Sequence, residues 1–268
     1  MSALRLAVTG VGGRRGREIL AAAHAAPDLT IAAGFARAGS PLVGTDLGAL
    51  IGVGTLGVRA TAGDALDLSG ADVLIDFSRA DATPAYAEAA ATAGLPFLTG
   101  TTGLTATQRA AVEAVAARVP TIIAANTSIG LTALLRLLPE LVRALGEGYD
   151  LEIVETHHRH KADAPSGTAL TIARALAAAR AGELADFAAR ARFGREGHAP
   201  RTAGEIGIHA VRAGGNPGEH RIILASDGEQ IEVSHRAITR GTYAAGALRA
   251  ARWLVGRAPG LYTMDEIL

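Results

Sequence analysis

The sequence predicts an α/β protein made of a parallel sheet covered by helices, followed by an α+β domain whose sheet is mixed and largely antiparallel. Three observations lead there. Short apolar strand-like runs alternate with alanine-rich helical stretches through residue 125. After Asn126 strand-like runs succeed one another with few helices between them. Gly-rich turns such as "AGGNPGEH" (213–220) separate those later runs. Domain boundaries are therefore expected at 1–125 and 126–238, with a terminal helix in 239–268 returning to the first domain.

In order, "LRLAVTG" reads as a strand, "RRGREILAAAHAA" as a helix and "LTIAAGF" as a strand. "ADVLIDFS" is a further strand, "ATPAYAEAAATAG" a helix and "LPFLTGTTG" a strand. "TATQRAAVEAVAARV" and "PTIIAAN" supply one more helix and strand. The continuous apolar runs in "VLIDF" and "TIIAA" fit strands buried on both faces, as parallel sheets require. "GLTALLRLLPELVRAL" reads as a long helix, kinked or broken at Pro139. "YDLEIVETHH", "EIGIHAVRAG", "GEHRIILASDG" and "EQIEVSHRAI" are strands, the last two joined by a tight turn at "SDGE". "TYAAGALRAARWLVG" is the terminal helix.

Lysine plus arginine and aspartate plus glutamate each total 26, so no long-range field draws the protein to nucleic acid or to an anionic membrane. A cationic site must be local. The chain has no cysteine, which excludes disulfides, thiolate metal sites and cysteine nucleophiles. The apolar run at residues 4–12 is too short to span a bilayer, and the N-terminus lacks the blocks of a signal peptide. A cytoplasmic protein is expected.

"VTGVGGRRGREI" sets Gly10, Gly13 and Gly16 at three-residue intervals between the first strand and helix. A dinucleotide pyrophosphate must approach the backbone at such a turn and accept from helix N-terminal amides, and side chains there obstruct it. Gly10, Val11, Gly12, Gly13, Arg14, Arg15 and Gly16 are therefore candidates for cofactor binding. The second strand ends in "GFARAGS", with Arg37 and no carboxylate. Arg37 is either a solvated loop residue or the partner of a ribose 2′-phosphate, and the charge favours NADPH over NADH. Ligands of open parallel sheets lie beyond the carboxyl ends of the strands. "DFSR" with Arg79, "TGTTG" with Gly100, Thr101 and Thr102, and "AANTSIG" with Ala124, Ala125, Asn126 and Thr127 are thus further candidates.

"ETHHRHKADAPSGTA" (155–169) concentrates three histidines, an arginine and a lysine in five consecutive positions. If the extended strand persists, His157, Arg159 and Lys161 project to one side and His158 and His160 to the other. A three-histidine metal site competes for this segment, but Arg159 and Lys161 would repel a divalent cation, so no metal is assigned. A helix beginning at Pro165 or Ser166 would aim amides near Ser166, Gly167 and Thr168 at an anion, flanked by two hydroxyls. Histidine donates a proton near neutral pH, and a neighbouring lysine stabilises developing negative charge. A small anionic substrate accounts for both features.

Taken with "GTTG", "AANTSIG" and "RAGGNPGEH", the glycine turn and the histidine–lysine–PSGT block resemble the 4-hydroxy-tetrahydrodipicolinate (dihydrodipicolinate) reductase family of lysine and diaminopimelate synthesis. The resemblance implies a Rossmann-like domain, a C-terminal domain building a homotetramer, and NAD(P)H-dependent reduction of a small cyclic dicarboxylate. It also implies His157 as general acid or base, Lys161 as second proton donor, and His158, Ser166, Gly167 and Thr168 as carboxylate contacts. Relatives often carry an acidic residue where Ala36 stands, methionine at Arg15 and an aromatic residue at Thr127. Other Rossmann-type dehydrogenases of small carboxylated substrates, and a redox-sensing dinucleotide-binding protein, are the rival readings.

Overall fold

A computed structural model describes residues 3–181 and 187–268 and divides the chain into two compact units, Met1–Ile129 with Arg240–Leu268, and Gly130–Thr239. In the first unit the chain runs β1 (Leu4–Thr9), α1 (Arg14–His24), β2 (Leu29–Ala36), α2 (Leu47–Ile51), β3 (Ala60–Ala62), β4 (Val73–Asp76), α3 (Thr83–Thr92), β5 (Phe97–Thr99), α4 (Ala106–Ala114) and β6 (Pro120–Ile123). The second unit holds most of α5 (Ile129–Leu145), then β7 (Asp150–His157), α6 (Gly167–Ala181), α7 (Phe187–Arg190), β8 (Ala191–Phe193), β9 (Ile206–Arg212), β10 (Glu219–Ala225) and β11 (Gln230–Arg236). The chain then returns to the first unit through α8 (Gly241–Leu254) and β12 (Gly260–Tyr262).

The sheet of the first unit has seven strands in the order β12-β6-β5-β4-β1-β2-β3, all pairings parallel. Its central strands bury both faces. Leu6, Val8, Ile75, Leu98 and Ile122 pack with Ile19 and Leu20 of α1 and with Ala247, Ala251 and Leu254 of α8. Ala7, Leu74 and Phe97 face the opposite core, against Tyr86, Ala87 and Ala90 of α3. The two edge strands, β3 and β12, and the short α2 were not anticipated. Three-residue strands carry too little periodicity to be read from sequence, and their pairing is fixed by neighbours far along the chain.

The second sheet has the order β11-β10-β7-β9-β8. It is mixed as expected, antiparallel at β11-β10 and β10-β7 but parallel at β7-β9 and β8-β9. The parallel pairing follows from the long connection through α6, because strands of like direction need a crossover. One face packs Leu151, Ile153, Ile206, Ile208, Ile222 and Leu224 against α5 and α6. Pro139 neither ends nor divides α5, which runs unbroken from Ile129 to Leu145. Proline removes one intrahelical hydrogen bond, but burial of Leu131, Leu138 and Val142 along one stripe holds the helix through that position. The "SDGE" turn joins Ala225 to Gln230, with the Ser226 amide donating to the Glu229 carbonyl at 2.9 Å.

Candidate active site

The glycine turn is built by close backbone approach. A side chain at Gly10 would collide with the Phe77 carbonyl, and one at Gly16 with the Gly10 carbonyl, so neither position admits a Cβ. The turn consumes part of its own donors. Gly10 and Val11 donate to the Phe35 carbonyl at 2.9 and 3.3 Å, and Gly13 donates to the Gly10 carbonyl at 2.9 Å. Val11 is fully buried in the core, so its side chain packs rather than facing a ligand. Gly13 caps α1 in an extended conformation without a side-chain hydrogen bond, and the first turn holds no acidic residue. The amides of Arg14, Arg15 and Gly16 are then the first-turn donors without intrahelical acceptors.

Beyond the strand ends lies a cavity of about 200 Å³ lined by Arg15, Phe77, Ser78, Gly100, Thr101, Thr102, Ala125, Asn126, Thr127 and Tyr243. It gathers four of the stretches expected from sequence, the glycine turn through Arg15 among them. Ala124 is buried at the end of β6 and contributes no lining, and Arg79 instead forms an exposed ion pair with Asp81 at 3.1 Å. Arg14 and Arg37 are exposed, Arg37 directly after β2. Sequence reasoning missed Tyr243, which α8 brings back across more than a hundred residues. Thr127 Oγ1 donates to the Tyr243 carbonyl at 2.7 Å, and Gly246 lets α8 approach the Thr127 carbonyl so closely that a Cβ there would clash. The Tyr243 ring carries the Arg15 guanidinium at 3.7 Å, a cation–π contact. Tyr243 thus places an aromatic ring in the cavity that Thr127 does not supply.

Under this cavity a single carboxylate ties the strand ends together. Asp76 is fully buried; its Oδ1 accepts from Thr9 Oγ1 at 2.6 Å and from the Ser78 amide at 3.1 Å. Its Oδ2 accepts from the hydroxyls of Thr83, Thr99 and Thr101 at 2.8, 2.8 and 2.9 Å. Thr99 and Thr101 then accept from the amides of Thr101 and Ser78, each at 3.1 Å. The loops after β1, β4 and β5 are therefore fixed by one anion whose burial is compensated by five donors.

In the second unit, strand β7 ends at His157 and the chain turns, with the Lys161 amide donating to the His158 carbonyl at 3.0 Å. The extended form does not persist, so Arg159 and Lys161 do not continue the His157 face. His158 is held by its amide on the Asn216 carbonyl at 2.8 Å, and its ring lies 6.2 Å from that of His160. Helix α6 begins at Gly167, with Ser166 as its cap: Ser166 Oγ accepts from the Ala169 amide at 3.1 Å. Ser166 is nearly buried, at 2% exposure, whereas Gly167 is exposed and a Cβ there would meet nothing.

A second carboxylate organises this end. Glu155 is fully buried beside His157, and its Oε2 lies 2.5 Å from His157 Nδ1 and 2.8 Å from Arg212 Nη1. Its Oε1 accepts from Arg212 Nη2 at 2.7 Å and from the Ser166 amide at 3.0 Å. Burial pushes this carboxyl up, but the hydrogen bonds from His157 and Arg212, with the Ser166 amide, outweigh it and hold the pKa down at about 2. The Ser166 amide, expected to meet a ligand, is therefore already engaged. Lys161 Nζ is paired with Asp163 at 2.7 and 2.8 Å, and the hydrogen bond from Lys161 outweighs burial and leaves the Asp163 carboxyl below its ordinary range. Arg212 and His220 escaped the sequence reading because the register of β9 and β10 against β7, not local spacing, brings them to Glu155 and Ser166. Among the described residues no group of three histidine, aspartate or glutamate side chains has a metal-binding arrangement, and no helix is long and apolar enough to cross a membrane.

Family models match both parts of the chain: dihydrodipicolinate reductase, N-terminus, over residues 4–127, and dihydrodipicolinate reductase, C-terminus, over residues 130–268. The chain is 48% identical over 265 residues to 4-hydroxy-tetrahydrodipicolinate reductase of Rubrobacter xylanophilus, covering 99% of this chain and 98% of the relative. It is 46% identical over 269 residues to the enzyme of the same name from Thiobacillus denitrificans, covering 99% and 98%. Among solved structures, dipicolinate-bound dihydrodipicolinate reductase from Paenisporosarcina sp. TG-14 shares the fold with a TM-score of 0.73 at 21% identity, covering 99% of this chain and 100% of that one. An amine dehydrogenase from Mycobacterium smegmatis shares it with a TM-score of 0.65 at 15% identity, covering 98% and 96%. The chain belongs to the dihydrodipicolinate reductase family.

Proposed function

We propose that this chain reduces 4-hydroxy-tetrahydrodipicolinate to tetrahydrodipicolinate, with loss of water, in lysine and diaminopimelate synthesis, and that a bound NADPH, in preference to NADH, supplies the hydride. The observation that carries the chemistry is the buried Glu155–His157 contact at 2.5 Å, at the head of a helix N-terminus suited to an anion.

The first unit fits a nucleotide on its own features. The turn at Gly10 and Gly16 excludes side chains, the first-turn amides of α1 lack a cap, and two buried polar atoms lining the cavity, Arg15 Nη1 and Ser78 Oγ, have no hydrogen-bond partner. Gly12, Gly13, Arg14, Arg15 and Gly16 would hold the pyrophosphate, and Gly100, Thr101, Thr102, Ala125, Asn126 and Thr127 the nicotinamide end, with Tyr243 and Ser78 added. Arg37, exposed after a strand that ends in Ala36 rather than a carboxylate, favours a 2′-phosphate.

In the second unit Glu155 accepts the Nδ1 proton of His157 and thereby leaves Nε2 as the nitrogen that exchanges a proton with substrate. Arg212 keeps Glu155 ionised, so the proton stays on the imidazole. Lys161, neutralised in part by Asp163, is the second proton source, and substrate carboxylates meet His158, the Ser166 hydroxyl and the Gly167–Thr168 start of α6. The enzyme acts in the cytoplasm as a homotetramer. The sheet face turned away from α5 and α6, carrying Val154, Ile223 and Val211, supports that assembly, which light scattering tests.

An assay with freshly made 4-hydroxy-tetrahydrodipicolinate, following NADPH and NADH oxidation separately, tests the reading. Turnover with a higher kcat/KM for NADPH is expected. Absence of turnover refutes the activity, and a higher kcat/KM with NADH refutes the cofactor preference.

A further inference from the structure

A second imidazole is buried beside the start of α6. His220, on β10, is 3% exposed, and its ring stands edge-on to His157 with centroids 5.3 Å apart. His220 Nε2 lies 3.0 Å from Ser166 Oγ, the atom that already accepts from the Ala169 amide. His220 Nδ1 is buried with no hydrogen-bond partner.

A count of protons decides how the pair is wired. A neutral imidazole carries one N–H and a serine one O–H, so the Nε2···Oγ contact uses one of these two donors and leaves the other over. If Ser166 donates, the proton left over is Nδ1–H, buried and unpaired. If His220 donates through Nε2–H, Nδ1 is merely an unused lone pair, and the proton left over is that of the Ser166 hydroxyl. Each arrangement leaves one donor over, but a substrate carboxylate at the start of α6 can accept the Ser166 proton, whereas nothing accepts from the buried Nδ1, which selects the second arrangement. In it, both lone pairs of Ser166 Oγ are filled, by Ala169 and His220, and the O–H is the single remaining valence, its direction fixed by the other two. Burial, with the neighbouring His157 adding to it, pulls the His220 pKa down to about 4, so the ring stays neutral at pH 7.

We propose that His220 is a positioning residue whose Nε2–H donates to Ser166 Oγ, so that the Ser166 proton is directed at a carboxylate oxygen of the substrate. The proposal rests on the reading of Ser166 as a carboxylate contact. It gives a role to the "GEH" that opens β10, and it makes this position selective for a hydrogen-bond acceptor.

Imidazole NMR and calorimetry on variants test it, with dipicolinate as the probe of carboxylate binding. ¹⁵N NMR of the wild-type imidazoles at pH 7 is expected to show His220 protonated at Nε2; protonation at Nδ1 overturns the proposal without recourse to a variant. Calorimetry on His220→Phe is expected to show dipicolinate bound about 10-fold more weakly, the scale of one well-oriented hydrogen bond to a charged group. The double variant Ser166→Ala/His220→Phe is expected to bind no worse than Ser166→Ala alone, because His220 acts through that hydroxyl. Tighter binding by His220→Phe, which means that the serine had been donating to the ring, or additive losses in the double variant, overturn the proposal. His220→Gln, whose amide can still donate, is expected to stay within about threefold of wild type. If Ser166→Ala alone leaves binding unchanged, the carboxylate reading of Ser166 fails whatever His220 does.

Discussion

Replacing Glu155 by glutamine removes one charge with almost no change of shape, and the surroundings make its effect calculable. Four donors converge on the carboxylate: His157 Nδ1 and Arg212 Nη1 on Oε2, Arg212 Nη2 and the Ser166 amide on Oε1. A glutamine presents an acceptor on one side and an NH₂ on the other. Whichever way the amide is turned, one side sets donor against two donors, and Arg212 loses its counter-charge. A hydrogen bond to a charged group is worth about 1.5–3 kcal/mol, so loss of the His157 orientation alone predicts a fall of about 10- to 150-fold in kcat. Steady-state kinetics with 4-hydroxy-tetrahydrodipicolinate measures it, with NADPH affinity by fluorescence as the control. Cofactor affinity should stay within about threefold, since Glu155 belongs to the unit that does not carry the glycine turn proposed for the nucleotide. A kcat within threefold of wild type would refute the assignment of Glu155 as the group that orients His157, and equal losses in rate and cofactor affinity would make it a purely structural residue.

Two other perturbations have signs fixed by the structure. Asp76→Asn sets an NH₂ against hydroxyl and amide donors beneath the cavity proposed for the nucleotide, so KM for NADPH should rise by about 10-fold or more while kcat changes less, and unaltered KM would show that the strand-end loops hold without the anion. Acid should weaken the fold in two stages. His220 has its folded pKa depressed from 6.5 to about 4, so its stabilising contribution is whole above 6.5 and is lost as pH falls toward 4, a change of about 3 kcal/mol. Glu155, depressed from 4.5 to about 2, adds its loss between those values. Urea unfolding against pH should therefore show stability falling from pH 6.5 downward, and His220→Phe should flatten the upper stage; an equally steep fall in that variant would assign it elsewhere.

What could be read from the sequence and what could not divide along a physical line. The glycine turn was legible because close backbone approach requires missing side chains at fixed spacing, and Gly10 and Gly16 do abut backbone where no Cβ fits. The block from Glu155 to Thr168 was legible because charge is concentrated in a chain of no net charge. Val11, Arg79 and the Ser166 amide were read as ligand contacts because spacing does not say which donors the fold itself consumes; the Phe35 carbonyl, Asp81 and Glu155 take them. Asp76, Arg212, His220 and Tyr243 carry no local signal. Each acquires its role from strand register or from a helix that returns to the sheet, and a carboxylate inside "VLIDF" gives no hint that five donors wait around it.

The central claim is that His157 moves the proton and that unit one alone holds the nucleotide. Its most direct test is His157→Ala, with kcat for 4-hydroxy-tetrahydrodipicolinate and NADPH affinity measured on the same preparation. A fall in kcat of about 100-fold or more with NADPH affinity unchanged is the predicted result, the scale of a lost general acid. Turnover near wild type, with NADPH still bound, would contradict it.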